Sequence, residues 1–158
     1  MPSGSSSKLT RVHDVLPALR GRGVILASPQ DGEHIRQHLG SVGFTVVEAD
    51  LPAELRAAQA TIAGALRLPE TAARNLDALV DSLRDLATWW PDDERIVLLL
   101  HGAESLVEGD LPGWHTLTEI LQRASADLWR GGAQGDRAFE TIALVDRHGV
   151  ARLPEAQA

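Results

Sequence analysis

Three aspartates, Asp77, Asp81 and Asp85, recur every four residues through NLDALVDSLRD, a stretch whose apolar residues keep helical spacing. Carboxylates placed in this way could work as an acid–base pair, ligate a metal, or hold a fixed row of negative charge. With about 100° between successive helical residues, Leu76, Leu79, Val80, Leu83 and Leu86 fall in an arc centred at roughly 340°, taking Leu76 as zero. On the same scale the aspartates lie at about 100°, 140° and 180°, so they face solvent, opposite the packing side. Solvated carboxylates with no base or metal beside them make a poor catalytic pair. A solvated face needs no special explanation, whereas a rigid negative row also suits docking into a cationic, phosphate-binding cleft. Spacing alone favours the solvated face.

Other residues that could do chemistry are scattered. Of the six histidines (His13, His34, His38, His101, His115 and His148), His34 and His38 stand at i, i+4, but there is no third ligand and no HExxH pattern. They read as surface histidines, and neither a metal nor any other cofactor is expected. Ser28 and Ser105 lack a GxSxG frame, and no stretch matches a P-loop or GxGxxG fingerprint. GGAQGD (131–136) comes before a strand pattern instead of after one, so it reads as a loop. His101 follows the apolar run RIVLLL, and strand C-terminal ends host sites in parallel sheets. A hydrolase using His101 with a nearby acid such as Glu104 is therefore one reading, against a strand-end histidine satisfied by a loop. Trp89 and Trp90 either fill core or leave a ring exposed.

These residues must be positioned by a chain of 158 residues, enough for one well-cored domain and too short for two of ordinary size. Hydrophobic residues make up 44% and aromatic ones 4%, so the core must be mainly Leu, Val, Ile and Ala. The absence of cysteine excludes disulfides, thiolate metal sites and a cysteine nucleophile, and a reducing cytoplasm fits best. The opening residues have no signal-peptide core, and no apolar run is long enough to span a bilayer, so a soluble, non-exported protein is expected. Net charge is −7, and it is unevenly spread: residues 70–94 carry seven acids against Arg74 and Arg84. Such a patch repels nucleic acid and attracts basic surfaces, so direct nucleic-acid binding is not expected.

Along the chain, residues 1–20 read as a flexible Ser-rich tail and 149–158 as a C-terminal tail, flanking one domain over 21–148. GVILAS (23–28) reads as a strand, Pro29–Gly32 as a turn, and EHIRQHLGSVG as a short helix. FTVVEADL (44–51) reads as a second strand, with Pro52 opening a helix striped by Leu55, Ala58, Ile62, Ala65 and Leu66. The next helix starts at an Asn75 N-cap, with Asp77 at the positive end of its dipole, and must stop near Trp89-Trp90-Pro91. RIVLLLHG (95–102) reads as a parallel strand buried on both faces. A helix from about Trp114 to Trp129 and a last strand, AFETIALVD (138–146), follow. This alternation predicts an α/β fold with a small three- to four-stranded parallel sheet covered by helices.

LRLPETAARNLDALVDSLRDL (66–86) resembles the signature of the barstar family of ribonuclease inhibitors, in which an apolar residue and Pro precede aromatic, aromatic, Gly, then Asn and Leu/Trp-Asp-Ala-Leu-x-Asp. Leu68-Pro69 and NLDALVD supply the matching elements, and the order of strands and helices agrees over residues 44–145; 21–43 looks like the extension of longer bacterial members. The resemblance implies a non-enzymatic inhibitor, antitoxin or immunity protein, a monomer when free, whose acidic helix and preceding loop plug the active site of a small basic ribonuclease or nuclease toxin. It implies a partner-binding set of Asp77, Asp81, Asp85, Val80, Thr71 and Arg74, with Asp77 and Asp81 at phosphate positions. Barnase with its inhibitor is itself the standard illustration of steering and of a hot-spot aspartate, so that weight comes with the resemblance and not from spacing. This chain departs from the signature at Thr71, Ala72 and Ala73, at Val80 where a Trp is often found, and at Arg123 where some members have an acid. The alternative is an interaction module on the same scaffold whose partner is not a ribonuclease.

Overall fold

The computed structural model describes residues 10–19, 21, 23–129 and 137–146. Its centre is the apolar run Arg95–His101, strand β3, in which Ile96 to Leu100 are all fully buried. A strand with no polar face must be covered twice, and only helices on both sides of the sheet can do that. Strands β1 (Val24–Ala27), β2 (Thr45–Asp50) and β4 (Ala138–Leu144) complete a parallel sheet in the order β1-β4-β3-β2. β3 pairs with β2 through Val47↔Leu98 and with β4 through Leu98↔Thr141, and β4 pairs with β1 through Ile142↔Ile25. The expected α/β class and parallel sheet are thus present, with four strands among the described residues.

Alternate residues of the strands feed two cores. Ile96, Leu98, Leu100, Val47, Ala49, Phe139 and Ala143 point to a face covered by α3 (Leu55–Ala65), α4 (Leu76–Arg84), α5 (Leu86–Trp89), α6 (Ala103–Gly109) and α7 (Leu111–Trp129). Val97, Leu99, Ile142, Leu144, Ile25 and Ala27 point the other way, onto Ile35 and Leu39 of α2 (Gly32–Ser41) and onto Val12, Leu16 and Leu19, around the short α1 (Val12–Val15).

Several boundaries differ from the sequence reading for identifiable reasons. The helix expected to open at Pro52 begins at Leu55, because Glu54 adopts an extended backbone and its carboxylate accepts from the Arg56 and Ala57 amides. It ends at Ala65, where Arg67 turns at φ 58° and the Leu68 amide returns to the Ala63 carbonyl. The long helix from Asn75 breaks at Asp85 into α4 and α5. α6 has no counterpart in the sequence reading, and α7 begins at Leu111, three residues before the expected start. Asp110 accounts for that: one carboxylate oxygen accepts from the Gly113 amide and the other from the Leu55 amide, so it ties the first turns of α7 and α3 together.

The expected N-terminal tail does not hold over residues 10–19. Val12, Leu16 and Leu19 are buried against the sheet, and the serines that suggested a tail end at Ser7, outside the described residues. The GGAQGD loop and the tail 149–158 also lie outside them. What fixes the N-terminal segment is Glu140 of β4, 2% exposed, whose carboxylate accepts from the amides of Val12 (2.8 Å) and Gly23 (3.4 Å) and from Arg11 Nη1 (3.3 Å). The Arg11 guanidinium in turn lies 3.9 Å from the centroid of a Trp129 ring. Removing one member of a buried pair strands its partner, at about 3 kcal/mol or more. Glu140→Ala is accordingly expected to lower stability by about 3 kcal/mol in urea unfolding and to open the chain at Arg11 to trypsin; an unchanged midpoint would show that this cluster does not hold the segment.

Candidate functional site

The acidic helix α4 begins where its sequence says it should. Asn75 is extended (φ −133°, ψ 125°), and its side-chain oxygen accepts from the Ala78 amide at 3.0 Å. Leu79 and Leu83 are fully buried and Ser82 is buried, so the packing face is set and the opposite face must be open. Asp77, Asp81 and Asp85 are all exposed, and among the described residues none of their side chains makes a hydrogen bond or an ion pair. Asp77 and Asp81 share one face, with β-carbons about 6 Å apart at this spacing. Asp85 is different. It caps the C-terminus of α4, its amide bonding to the Asp81 and Ser82 carbonyls, where the chain turns into α5. The structure therefore sets two of the three acids in a row on the helix and places the third at its end.

Neighbouring elements hold α4 rigidly. Trp89 Nε1 donates to the Ser82 carbonyl (3.1 Å), folding α5 back on α4, and Arg84 Nε is 3.4 Å from Asp127 of α7. Trp90 is buried, donates to the Leu66 carbonyl at 2.7 Å, and has the Arg67 guanidinium 4.5 Å from its ring centroid. Of the two tryptophans left open by sequence, Trp90 is core and Trp89 half-buried.

The residues before α4 form a 3-10 turn, Glu70–Ala73. Ala72 is buried and its carbonyl accepts from Gln59 Nε2 of α3 at 2.8 Å, which pins the turn. Thr71 and Arg74 are exposed, Arg74 hydrogen-bonding to Glu70, and Val80 is half-buried. Between α3 and α4 lies an open hollow lined by Leu55, Arg56, Gln59, Arg74, Asn75, Leu76 and Asp77. Sequence reasoning missed Arg56 and Gln59, since nothing in their own spacing signals that α3 runs beside the N-terminus of α4.

A second hollow lies at the C-terminal end of β2, lined by Glu48, Asp50, Thr61, Ala65 and His101. His101 Nε2 is 2.7 Å from Glu48 Oε1. The acid suggested for His101 from sequence, Glu104, instead accepts from the Asp146 amide at 2.6 Å, so the structure does not pair those two. Arg36, 3.8 Å from Glu48, hydrogen-bonds to Glu33 and by that bond holds the Glu33 carboxyl below its ordinary value. His34 and His38 stack with ring centroids 6.0 Å apart, and His38 Nε2 lies 3.2 Å from the Val15 carbonyl. Among the described residues no group of three or more His, Asp or Glu is placed to hold a metal ion, and no helix is long and apolar enough to cross a membrane.

The sequence model of the family described as Barstar (barnase inhibitor) matches residues 44–143. Over 126 residues the chain is 29% identical to a protein of Synechococcus sp. (strain CC9605) named probable 2-phosphosulfolactate phosphatase, covering 74% of this chain and 52% of that one. The chain thus spans about half the length of that relative. No solved structure matches.

The Asn75 cap can be separated from the acids it positions. Asn75→Ala is expected to lower stability by about 1 kcal/mol, read from urea unfolding, with hydrogen exchange accelerating first at the amides of Asp77 and Ala78; uniform acceleration along the chain would assign Asn75 a different role.

Proposed function

Given that the chain belongs to the barstar family, we propose that it is a protein inhibitor, of the antitoxin or immunity type, that blocks the active site of a small basic ribonuclease with its acidic helix. The observation that carries this reading is the pair of exposed, unpartnered carboxylates of Asp77 and Asp81 on a helix braced from both sides. A cationic cleft built for phosphates gains most from charges already fixed in place, because little side-chain or backbone freedom is lost on docking. Asp77 and Asp81 take the phosphate positions, Asp85 extends the negative field beyond the helix end, and Thr71, Arg74 and Val80 form the surrounding contact surface. The protein, a monomer when free, binds the nuclease in the cytoplasm of the cell that makes both.

A second reading, an interaction module whose partner is not a ribonuclease, is favoured by one feature. Thr71, Ala73 and Val80 leave the flank of α4 without the large aromatic side chains that usually anchor interfaces. The name of the cyanobacterial relative describes a phosphatase, and that activity is not carried over. The groove at His101 offers a histidine–carboxylate pair, and the one hydroxyl lining it, on Thr61, donates to the Ala57 carbonyl.

Inhibition of RNA hydrolysis decides between the two. Against a panel of small cationic ribonucleases that includes barnase, the native chain is expected to inhibit at least one, and the Asp77→Ala/Asp81→Ala double variant to weaken that inhibition by about 100-fold, or ~2.7 kcal/mol. Its unfolding free energy should move by no more than about 1 kcal/mol, the small cost of exposed sites plus the loss of Asp77 at the positive end of the α4 dipole. Inhibition that survives the double substitution, or a large loss of stability, would overturn the assignment; a native chain that inhibits none of the panel leaves the interaction module as the better reading.

A further inference from the structure

The hollow between α3 and α4 has a charge pattern at odds with the helix beside it. Its rim carries Arg56 and Arg74, and its acid is Asp77 at the edge shared with the α4 row. Arg74 is 75% exposed and paired with Glu70, itself 78% exposed, and the Arg56 guanidinium makes no hydrogen bond or ion pair among the described residues. The sides are apolar, formed by Leu55 and Leu76, half-buried residues at the margin of the core, with Gln59 held by the Ala72 carbonyl behind them. Besides Asp77 and Glu70, the third nearby acid is Glu54, whose carboxylate is turned to the Arg56 and Ala57 amides.

Two arginines beside an acidic docking helix oppose a partner that is basic throughout, since like charges brought together at an interface are costly and set register. From this charge placement we infer that the α3–α4 hollow is a specificity subsite, which receives a partner loop presenting an apolar side chain next to an Asp or Glu. The apolar group sits between Leu55 and Leu76, and the carboxylate pairs with Arg56 and Arg74, whose planar forks suit a carboxylate. The inference rests on the ribonuclease-inhibitor reading and adds which basic nucleases are accepted: those with an acid beside the cationic cleft, at the end facing the N-terminus of α4.

Charge reversal separates this from general attraction, because the two predict opposite signs. Inhibition of the same ribonuclease panel is measured for the native chain, Asp81→Ala, Arg56→Gln/Arg74→Gln and Arg56→Glu/Arg74→Glu. If attraction between an acidic inhibitor and a basic enzyme were the whole account, the glutamates would tighten inhibition. The subsite requires that they weaken it at least tenfold, with the glutamine variant intermediate. Zero-length carbodiimide coupling of an Arg56→Lys variant to the inhibited nuclease should join position 56 to an Asp or Glu adjacent to an apolar residue. Tighter or unchanged inhibition by the glutamate variant overturns the subsite while leaving the acidic-helix reading intact. A native chain that inhibits no member of the panel overturns both.

Discussion

Everything in this molecule follows from β3 having no polar face. Five consecutive fully buried residues in the middle of a parallel sheet demand cover above and below. One face takes α3 to α7, the other takes α2 and the segment around α1. α4 is thereby committed to the core on that face through Leu79 and Leu83, and its opposite surface is left to water and to partners. The acids are exposed because the leucines are not. A row of carboxylates displayed this way is rigid for the same reason, as the contacts that bury one side of the helix also fix the direction of the other.

Where local chemistry sets the structure, the sequence was legible. The four strands, the Asn75 cap and the outward face of Asp77 and Asp81 depend on short apolar runs bounded by turn residues, on the 3.6-residue helical period and on one capping side chain, each readable within a window of a dozen residues. What was not legible depends on residues far apart in the chain. Glu140 reads as a polar break in an apolar strand; only across 128 residues does it meet the Val12 amide and turn an apparent tail into part of the fold. Asp110 reads as a loop acid, yet from the start of α7 it reaches back 55 residues to the Leu55 amide at the start of α3. The break at Asp85 is set by Trp89 folding back on Ser82, which helical periodicity cannot register.

The same limit applies to the candidate site. The acidic row was visible, but the arginines that qualify it were not grouped with it, because Arg56 joins Arg74 only when α3 lies alongside the turn before α4. Likewise His101 was noticed for its place at a strand end, and its actual neighbour, Glu48, comes from the adjacent strand and not from the following helix. Sequence spacing finds the groups of one element; the surface a partner meets is assembled from several.

Strand order also has a consequence in time. Among the described residues β1 is the first strand made and lies at a sheet edge, where it pairs with β4, the last of them, through Val24↔Thr141. At ordinary rates of synthesis the ribosome needs on the order of ten seconds to cover that interval, and for all of it β1 has no strand to join. Non-local pairing of this kind also slows folding once the chain is complete. A cell making this protein therefore holds, for each copy, an early edge strand that waits for β4 to be made, and completion of the sheet is tied to that strand and not to the helix that carries the charge.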